Sequence, residues 1–494
     1  MGVLDDITKD RKRVIVAVLL IILLAAVLRF YHIDWSFSNN GIDEGIMLER
    51  ALMVDHGYKL YSQLPCDQPP LAFYLGALLG GQVVPLRMVV AGMSIAAVVA
   101  CMICSRKLGS SGSMLLTGLI MSVDFVFLRE SRLFSLDAIC ACFIAFSIPA
   151  FAHYVRKNSL PALAVGGLFA GLATASKLLG GLAVLAMLLF MILEWRRDKK
   201  SLAKLAIDST TMIVAAVIPI LLFMVYLGPR EVFDGMVLQQ GGRGFDAFLK
   251  LSIIAFFGLS VAYVLPLVNA RVLWKMSKET RYLLTLTAVM LAFMIIQPLI
   301  FLHHLAILSP PLAILSGIVL AGMLSDNKSE SRDGELTRLF NKRPSYGNIA
   351  IAFLAATVII SAGLANYGLS AQAEPLQRTY GDWLARTTSA DDFVVSGDPI
   401  IPAYAQRMTP PEIVNVAYRQ HDNLTLDKLI EAIETYNVSV VIVCYRLNDI
   451  DGLTSYLSGS GFMKVVIPGL SGAEASLDLF QESIEPVVAY VRSA

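Results

Sequence analysis

Long apolar runs constrain the fold of this chain more than any other feature. Of its 494 residues, 56% are hydrophobic and 16% are charged, whereas about a quarter of the residues in a soluble domain are charged. Runs long enough to cross a hydrocarbon layer of about 30 Å recur between Val14 and Leu364. The sequence therefore predicts a polytopic α-helical membrane protein.

Eleven candidate membrane spans follow one another, separated by short polar loops. They are residues 14–31, 83–104, 112–128, 137–154, 161–176, 178–193, 209–227, 250–268, 283–300, 304–322 and 348–366. The fifth and sixth spans are each shorter than the usual twenty residues, so a re-entrant hairpin is the alternative there. The six cysteines match no disulfide or zinc spacing, and we expect them to be small core residues.

Basic residues are distributed unevenly over the predicted loops. If the N-terminus is cytoplasmic, Lys and Arg in the cytoplasmic segments outnumber those in the opposite loops by more than two to one. Because Lys and Arg favour the cytoplasmic side of a membrane, we expect a multi-pass cell-membrane protein with a cytoplasmic N-terminus and an extracytoplasmic C-terminal domain. The formal net charge of +1 does not suggest nucleic acid as a partner.

The sequence changes character after residue 367. Residues 1–367 hold the apolar runs and a long first outer loop (residues 32–82), whereas residues 368–494 are typical of a globular domain. In that domain, Thr425–Tyr436 predicts an amphipathic helix with Thr425 as its N-cap, and Val438–Cys444 predicts a buried strand. Alternating strands and helices predict a soluble α/β domain with a largely parallel sheet.

Two adjacent carboxylates in the first outer loop form the first candidate site. Asp43 and Glu44 follow the first span closely, so they should lie near the membrane boundary. Holding two carboxylates side by side next to an apolar phase costs electrostatic free energy, which a general base or a cation-binding carboxylate could use. The alternative is structural, with Asp43 as a helix N-cap and Glu44 as a favourable charge in the first turn.

Several basic side chains share the predicted outer face. Lys177 lies between two apolar runs, where either phosphate is its partner or its ammonium group extends to the water boundary. Arg129 and Arg132 are three residues apart, and either Arg132 pairs with Asp137 or this face binds phosphate. Arg243 lies in a glycine-rich loop that could fold over a headgroup or remain solvated.

Two adjacent histidines, His303 and His304, also fall on this face. They could donate hydrogen bonds to phosphate or sugar, pack at a helix end, or bind a metal ion. Adjacent side chains on an α-helix point about 100° apart, which argues against both holding one ion.

These motifs, taken in order, resemble the GT-C glycosyltransferases, in particular the group of protein O-mannosyltransferases and lipid A aminoarabinose transferases. The resemblance covers residues 10–325. The matching features are Asp43-Glu44, Gly57-Tyr58 with Tyr61, Pro69–Tyr74, Arg87, Arg132 with Asp137, Gly171–Lys177 and His303–Leu315. One departure is Gln68, which stands where the group often has a lysine that can contact the donor phosphate.

The resemblance implies transfer of a sugar from a polyprenyl-phosphate (dolichyl-phosphate-like) donor to a protein, lipid or glycan acceptor. It implies Asp43 as general base, with Glu44 orienting the acceptor, pairing with a cation or tuning Asp43, or with the two exchanging roles. The implied phosphate ligands are Arg132, Lys177, Arg243, His303 and His304, and the implied supporting residues are Tyr61, Gln68, Arg87 and Asp137. No cofactor is assigned beyond a candidate divalent cation.

Two other functions compete with this interpretation. An oligosaccharyltransferase-like enzyme is the first, although the outer domain has no Trp-Trp-Asp-Tyr-Gly motif. A lipid or solute transporter is the second, but a transporter should have internal repeats and ionisable groups near the bilayer midplane. Here the candidate charges collect at one predicted face.

Overall fold

The computed structural model describes residues 8, 10–35, 41–198, 201–238, 250–251, 253, 261–324, 345–370, 376–414, 424–465, 467 and 487–493. The helices before residue 371 are α1 (Arg11–Phe30), α2 (Gly41–Asp55), α3 (Leu71–Ala77), α4 (Val83–Leu108), α5 (Ser111–Val123), α6 (Phe125–Glu130), α7 (Leu136–Lys157), α8 (Leu160–Ser176), α9 (Gly181–Asp198), α10 (Leu202–Leu227), α11 (Pro229–Met236), α12 (Val261–Val268), α13 (Ala270–Met276), α14 (Lys278–Ile296), α15 (Ser309–Leu324) and α16 (Ser345–Ser370). Turns of 3₁₀-helix at Leu178–Gly180 and Leu302–Leu308 precede α9 and α15.

Within the described part of the chain, 7 helical segments are long and apolar enough to cross a membrane. They are Arg11–Phe30, Val83–Leu108, Leu136–Lys157, Leu178–Asp198, Leu202–Leu227, Lys278–Ile296 and Leu302–Leu324, and the shorter apolar helices are Ser111–Val123, Leu160–Ser176 and Asn348–Leu364. Each predicted span except 250–268 overlaps one of these segments. That span is described only in part, where it contains α12. The protein is a multi-pass membrane protein, as predicted.

Polar residues interrupt one predicted span. Residues 112–128 form two helices because Asp124 ends α5 and caps α6, its carboxylate accepting a hydrogen bond from Phe127 N–H at 3.2 Å. Ser110 begins α5 with a capping box that includes Ser113. The short α6 turns the chain back at the end of the bundle that also holds the candidate site.

The segment Leu302–Leu324 lies in the centre of the bundle, and α1 lies at its periphery. Within the most apolar 18-residue stretch of each segment, 94% is buried in Leu302–Leu324 and 17% in α1. Close approach of α15 and α5 requires Gly317, since a Cβ there would lie 2.2 Å from Thr117 Oγ1. All six cysteines are buried and free, as predicted.

The C-terminal region contains a small mixed sheet. Its elements are α17 (Leu376–Thr387), β1 (Val394–Ser396), α18 (Ile400–Ala405), α19 (Leu426–Thr435), β2 (Val440–Val443), α20 (Leu453–Gly459), β3 (Phe462–Val465) and β4 (Val488–Arg492), with 3₁₀ turns at Pro411–Ile413 and Tyr445–Asp449. The strand order is β1-β2-β4-β3. The α/β architecture agrees with the prediction, and Thr425 caps α19 as expected.

The prediction of a largely parallel sheet is wrong. β1 and β2 pair in parallel, whereas β4 pairs antiparallel with both β2 and β3. The central strand β2 is buried along its length, which is why its sequence is apolar without alternation. A parallel strand buried on both faces has the same composition, so the composition could not reveal the direction of its second neighbour.

Candidate active site

Helix α2 carries the two adjacent carboxylates in its first turn. Successive side chains on an α-helix point about 100° apart, and the two carboxylates here meet different surroundings. Asp43 is exposed, whereas Glu44 is buried. From the sequence we predicted a functional pair, but on the helix the two carboxylates lie in different environments.

Glu44 forms a buried ion pair with Arg87 at the start of α4. Arg87 Nε donates to Glu44 Oε1 at 2.8 Å, and Arg87 Nη2 donates to Oε2 at 2.6 Å. Phe134 N–H donates a third hydrogen bond to Oε1 at 2.8 Å. Of the roles predicted for Glu44, pairing with a cation is the one that these contacts match. Both of its oxygens accept hydrogen bonds from protein donors.

The Asp43 carboxylate is solvent-accessible yet surrounded by protein. Burial within the protein body raises its pKa, Lys177 and Arg129 act in the opposite direction, and Asp137 and Asp67 raise it further. Asp43 thus keeps an accessible surface although many protein atoms surround it. An accessible carboxylate can accept a proton from a bound ligand.

Lys177 and Asp137 form an ion pair near Asp43. Lys177 Nζ lies 2.5 Å from Asp137 Oδ2, and both side chains are mostly buried. Lys177 follows the last residue of α8, and Asp137 lies in the first turn of α7 behind its N-cap Ser135. The predicted pairing of Arg132 with Asp137 is wrong, because Asp137 pairs with Lys177.

Arg132 is occupied by the end of α1. Its guanidinium donates hydrogen bonds to four backbone carbonyls, those of Leu28 (2.7 Å), Arg29 (3.2 Å), Tyr31 (2.7 Å) and His32 (3.0 Å). The last carbonyls of a helix lack intrahelical partners, and a cation at that end satisfies them. These contacts give Arg132 a structural role at the end of α1, and the phosphate contact predicted for it stays a prediction.

Arg129 interacts electrostatically with Asp43. Its guanidinium lies 2.6 Å from Glu130 Oε1, and Ser135 Oγ donates to Glu130 Oε2 at 2.6 Å. Both members of the ion pair are buried. The spacing of Arg129 and Arg132 on one helix end was the available signal, but it could not say which of the two faces the site.

His303 and His304 lie beside the same aspartate. His303 Nε2 is 3.9 Å from Asp137 Oδ2. One ligand atom each from Asp137, His303 and His304 lies within 4.8 Å of the others, a grouping that could hold a divalent cation. The centroids of the two rings lie 4.5 Å apart, with an angle of 87° between the ring planes, in a 3₁₀ turn. Both histidines therefore lie close to Asp137, although adjacent side chains on an α-helix were expected to diverge.

The other candidate residues of the first outer loop, Tyr61 and Gln68, make contacts within that loop. Tyr61 OH donates to the backbone carbonyl of Gln68 at 2.8 Å, and the Gln68 side chain donates to Asp67 Oδ2 at 3.2 Å. Asp67 also pairs with Arg50 at 3.5 Å, and Arg50 lies over the ring of Phe73. No local pattern in the sequence indicated the Arg50–Asp67 pair. Arg243 belongs to residues 239–249, which lie outside the described residues.

A partly open pocket lies at the other end of the bundle and is remote from Asp43. Its polar lining includes Tyr154, Glu194, Lys204, Asp208 and Lys278. Tyr154 is seventeen residues beyond Asp137 on α7, about 25 Å along a helix. The lining acids are already paired, Asp208 with Lys204 and Glu194 with Arg281. This pocket therefore offers no free carboxylate for a general base, whereas the Asp43 end does.

Comparison with known proteins identifies the fold. Residues 67–223 match the family model described as dolichyl-phosphate-mannose-protein mannosyltransferase. That range includes Arg87, Arg129, Asp137 and Lys177 but not Asp43. A search of curated protein sequences gave no match.

Solved structures match nearly the whole chain. ArnT from Cupriavidus metallidurans, bound to undecaprenyl phosphate, aligns at 14% identity over 97% of this chain and 98% of that chain, with a TM-score of 0.63. The apo oligosaccharyltransferase from Archaeoglobus fulgidus aligns at 14% identity over 92% and 74%, with a TM-score of 0.61. The Archaeoglobus fulgidus enzyme AglB, in complex with an inhibitory peptide and a dolichol-phosphate, aligns at 13% identity over 92% and 73%, with a TM-score of 0.54. The chain has the GT-C fold, as the resemblance implied.

Proposed function

We propose that this protein is a membrane glycosyltransferase that moves a sugar from a polyprenyl-phosphate donor to an acceptor, with Asp43 as the general base. The observation that carries the proposal is the exposed carboxylate of Asp43, which lies close enough to the cations Lys177 and Arg129 for both to lower its pKa. The fold it shares with structures that contain undecaprenyl phosphate or dolichol-phosphate supports the donor class.

The proposed reaction is an in-line displacement at the anomeric carbon. The acceptor's nucleophilic atom loses its proton to an Asp43 oxygen as it attacks that carbon. The bond between the anomeric carbon and the phosphate oxygen breaks, and its electron pair leaves with the lipid phosphate. General-base assistance of this kind contributes about 10²–10⁴-fold in rate.

Cations near the leaving phosphate would stabilise the charge that develops there. Lys177 carries three N–H donors, so it can keep its contact with Asp137 and still donate to a phosphate oxygen. Arg129 is the second candidate and takes the place we had predicted for Arg132. His303, beside Asp137, supplies a third donor when it is protonated or presents its N–H to the site.

Asp137, His303 and His304 are suited to hold a divalent cation. Asp137 Oδ1 is buried and accepts no hydrogen bond from any residue that the structure describes, so it offers a ligand atom that the fold does not otherwise use. When bound, such a cation would supply positive charge to the leaving phosphate. We propose no step that depends on it.

We propose that the outer face of the membrane holds the site. Asp43, Asp137 and Lys177 come from the same end of the bundle, and two described loops that were predicted to be cytoplasmic meet at the other, where Arg156 lies 4.0 Å from Glu279. This arrangement supports a cytoplasmic N-terminus and an extracytoplasmic C-terminal domain. We propose boundaries at residues 1–367 for the transferase domain, with its first outer loop at 32–82, and 368–494 for the second domain.

An oligosaccharyltransferase-like activity is the second candidate, because the Archaeoglobus fulgidus enzyme matches with a TM-score of 0.61. We place it second because this chain spans 74% of that enzyme, compared with 98% of ArnT. A transporter is disfavoured, since the charged groups that we describe around Asp43 lie at one end of the bundle.

The experiment is incubation of the purified protein with a panel of lipid-linked sugars. The panel should pair each polyprenyl monophosphate sugar with a polyprenyl pyrophosphate oligosaccharide, and a nucleotide sugar serves as the negative control. Consumption of a monophosphate donor with release of polyprenyl phosphate would support the proposal. Consumption of only the pyrophosphate donors would favour the second candidate, and consumption of neither class would contradict both.

A further inference from the structure

The C-terminal region packs directly against the helix that carries Asp43. Gly45 lies two residues after Asp43 in α2. A Cβ at Gly45 would lie 2.3 Å from Ile400 N and 2.6 Å from the carbonyl carbon of Pro399. Real Cβ atoms do not approach backbone this closely, so the first turn of α2 and the start of α18 are in backbone contact. Any side chain at position 45 would force them apart.

A second set of contacts joins α18 to Glu44. Tyr404 OH donates to the backbone carbonyl of Asp34 at 3.1 Å. Arg87 Nη1 donates to the same carbonyl at 3.2 Å, while the rest of the Arg87 guanidinium holds Glu44. Tyr404 therefore meets, through one shared acceptor, the arginine that fixes the neighbour of Asp43.

Apolar packing extends this interface along α2. Ile400, Ala403 and Met408 belong to the same buried core as Leu48 and Leu52 of α2. The interface therefore contains a continuous core in addition to the polar contacts. A surface that only covered the site would not need to contact α2 beside Asp43.

Further along α2, Glu49 is fully buried beside Thr409. Burial raises its pKa well above the usual range, because desolvation disfavours the charged carboxylate. The contact between α2 and the C-terminal region thus extends from Gly45 to Glu49, more than one helical turn.

From these contacts we propose that the Pro399–Ile400 turn and Tyr404 are positioning residues for Asp43, so that the C-terminal region sets the geometry of the base. The inference rests on the proposed function of Asp43. Its physical basis is that a misplacement of about 1 Å in a catalytic group can cost about 10²-fold in rate. Asp43 sits in the first helical turn, where fewer intrahelical hydrogen bonds hold the backbone, so outside contacts decide its position.

The first test compares Gly45→Ala with Gly92→Ala. Gly92 lies in α4, and a Cβ there would meet no atom of the described residues within 4 Å, which makes it a matched control. Gly45→Ala should lower kcat by about 10- to 100-fold, while the KM for the donor and the Kd for polyprenyl phosphate change by less than threefold. A kcat within twofold of that of Gly92→Ala would overturn the inference.

The second test is Tyr404→Phe, which keeps the ring and removes the hydroxyl, and it decides the matter if Gly45→Ala does not fold. We expect a several-fold fall in kcat, a shifted acidic limb in the pH profile of kcat, and a melting temperature close to that of the wild type. A wild-type kcat and pH profile would overturn the inference.

Different results would contradict the proposed function of Asp43 and the positioning inference. If Asp43→Asn keeps wild-type turnover, the proposed function of Asp43 fails. If Asp43→Asn loses turnover while Tyr404→Phe and a folded Gly45→Ala keep it, the positioning inference alone fails. Where residual turnover of Asp43→Asn is measurable, adding Tyr404→Phe should cause no further loss, because the two changes act on one step.

Discussion

Removal of the Arg87 guanidinium should destabilise the protein far more than removal of a surface arginine. The Arg87 and Glu44 side chains are 0% and 1% exposed. Arg87→Met removes two charge-assisted hydrogen bonds to Glu44 and two donors to the carbonyls of Ile33 and Asp34. It leaves Glu44 as a buried charge whose remaining described donor is Phe134 N–H. Breaking such a pair costs about 3–5 kcal/mol.

The matched control is Arg378→Met. Arg378 forms an ion pair with the Asp34 carboxylate at 2.9 Å, but the two side chains are 47% and 35% exposed. Surface pairs of this kind contribute about 0–1 kcal/mol. Denaturation in detergent should therefore give a fall of several degrees in the melting temperature for Arg87→Met and little change for Arg378→Met.

A double variant tests the physical reason. Glu44→Gln combined with Arg87→Met removes both charges, so it should be more stable than Arg87→Met alone, because no unpaired buried charge remains. Equal melting temperatures for Arg87→Met and Arg378→Met, or a double variant less stable than Arg87→Met, would refute the reasoning.

Three further predictions concern single side chains. Lys177→Gln should lower kcat by about 10²–10³-fold in a donor-turnover assay, whereas the same change at exposed Lys59 should have little effect; similar kcat values would count against a phosphate contact. Arg132→Lys should lower the melting temperature with little change in the kcat of the folded protein, whereas Arg129→Lys should lower kcat, and the reverse pattern would show that the two roles are exchanged. Burial raises the pKa of Asp398 from 3.8 to about 6, so the contribution of this carboxyl group to stability is present below about pH 4 and is lost as the pH rises through 6. Asp398→Asn should therefore stabilise the protein above pH 6 by up to about 3 kcal/mol in denaturant titrations. A difference from the wild type that does not depend on pH would contradict this.

The sequence predicted the features that depend on local pattern. The apolar runs predicted the spans, because a helix needs about 20 mostly apolar residues to cross the hydrocarbon core of a membrane. Thr425 gave the start of α19 because a threonine oxygen can satisfy a free N–H of the first turn. Asp43 and Lys177 were predicted to share a site from their common sidedness; Lys177 lowers the pKa of Asp43, and the shared site stays a prediction.

Pairings between distant residues could not be read from the sequence. Glu44 was predicted to orient the acceptor, pair with a cation or tune Asp43, but the sequence did not identify its cation as Arg87, 43 positions away. Arg132 was predicted to pair with Asp137 or to bind phosphate, whereas it donates hydrogen bonds to the carbonyls at the end of α1. In both cases a buried charge was satisfied by a segment that only the tertiary fold brings close.

The direction of the last strand was hidden for a different reason. β4 begins at Val488, far along the chain from its neighbour β2. Alternation of apolar and polar residues records which face of a strand is buried, but not the direction of the neighbouring strand. The position of the C-terminal region against α2 was equally hidden, since a glycine at position 45 has no signal of its own until Ile400 is placed beside it.

The most direct test of the central claim is single-turnover transfer from the best polyprenyl-phosphate donor by Asp43→Asn, compared with Asp55→Asn. Asp55 is exposed at the other end of the same helix, so it controls for the substitution itself. The account predicts that Asp43→Asn binds the donor with a Kd within threefold of the wild-type value and transfers the sugar about 10²–10⁴-fold more slowly, while Asp55→Asn behaves as the wild type. Transfer by Asp43→Asn at the wild-type rate would contradict it.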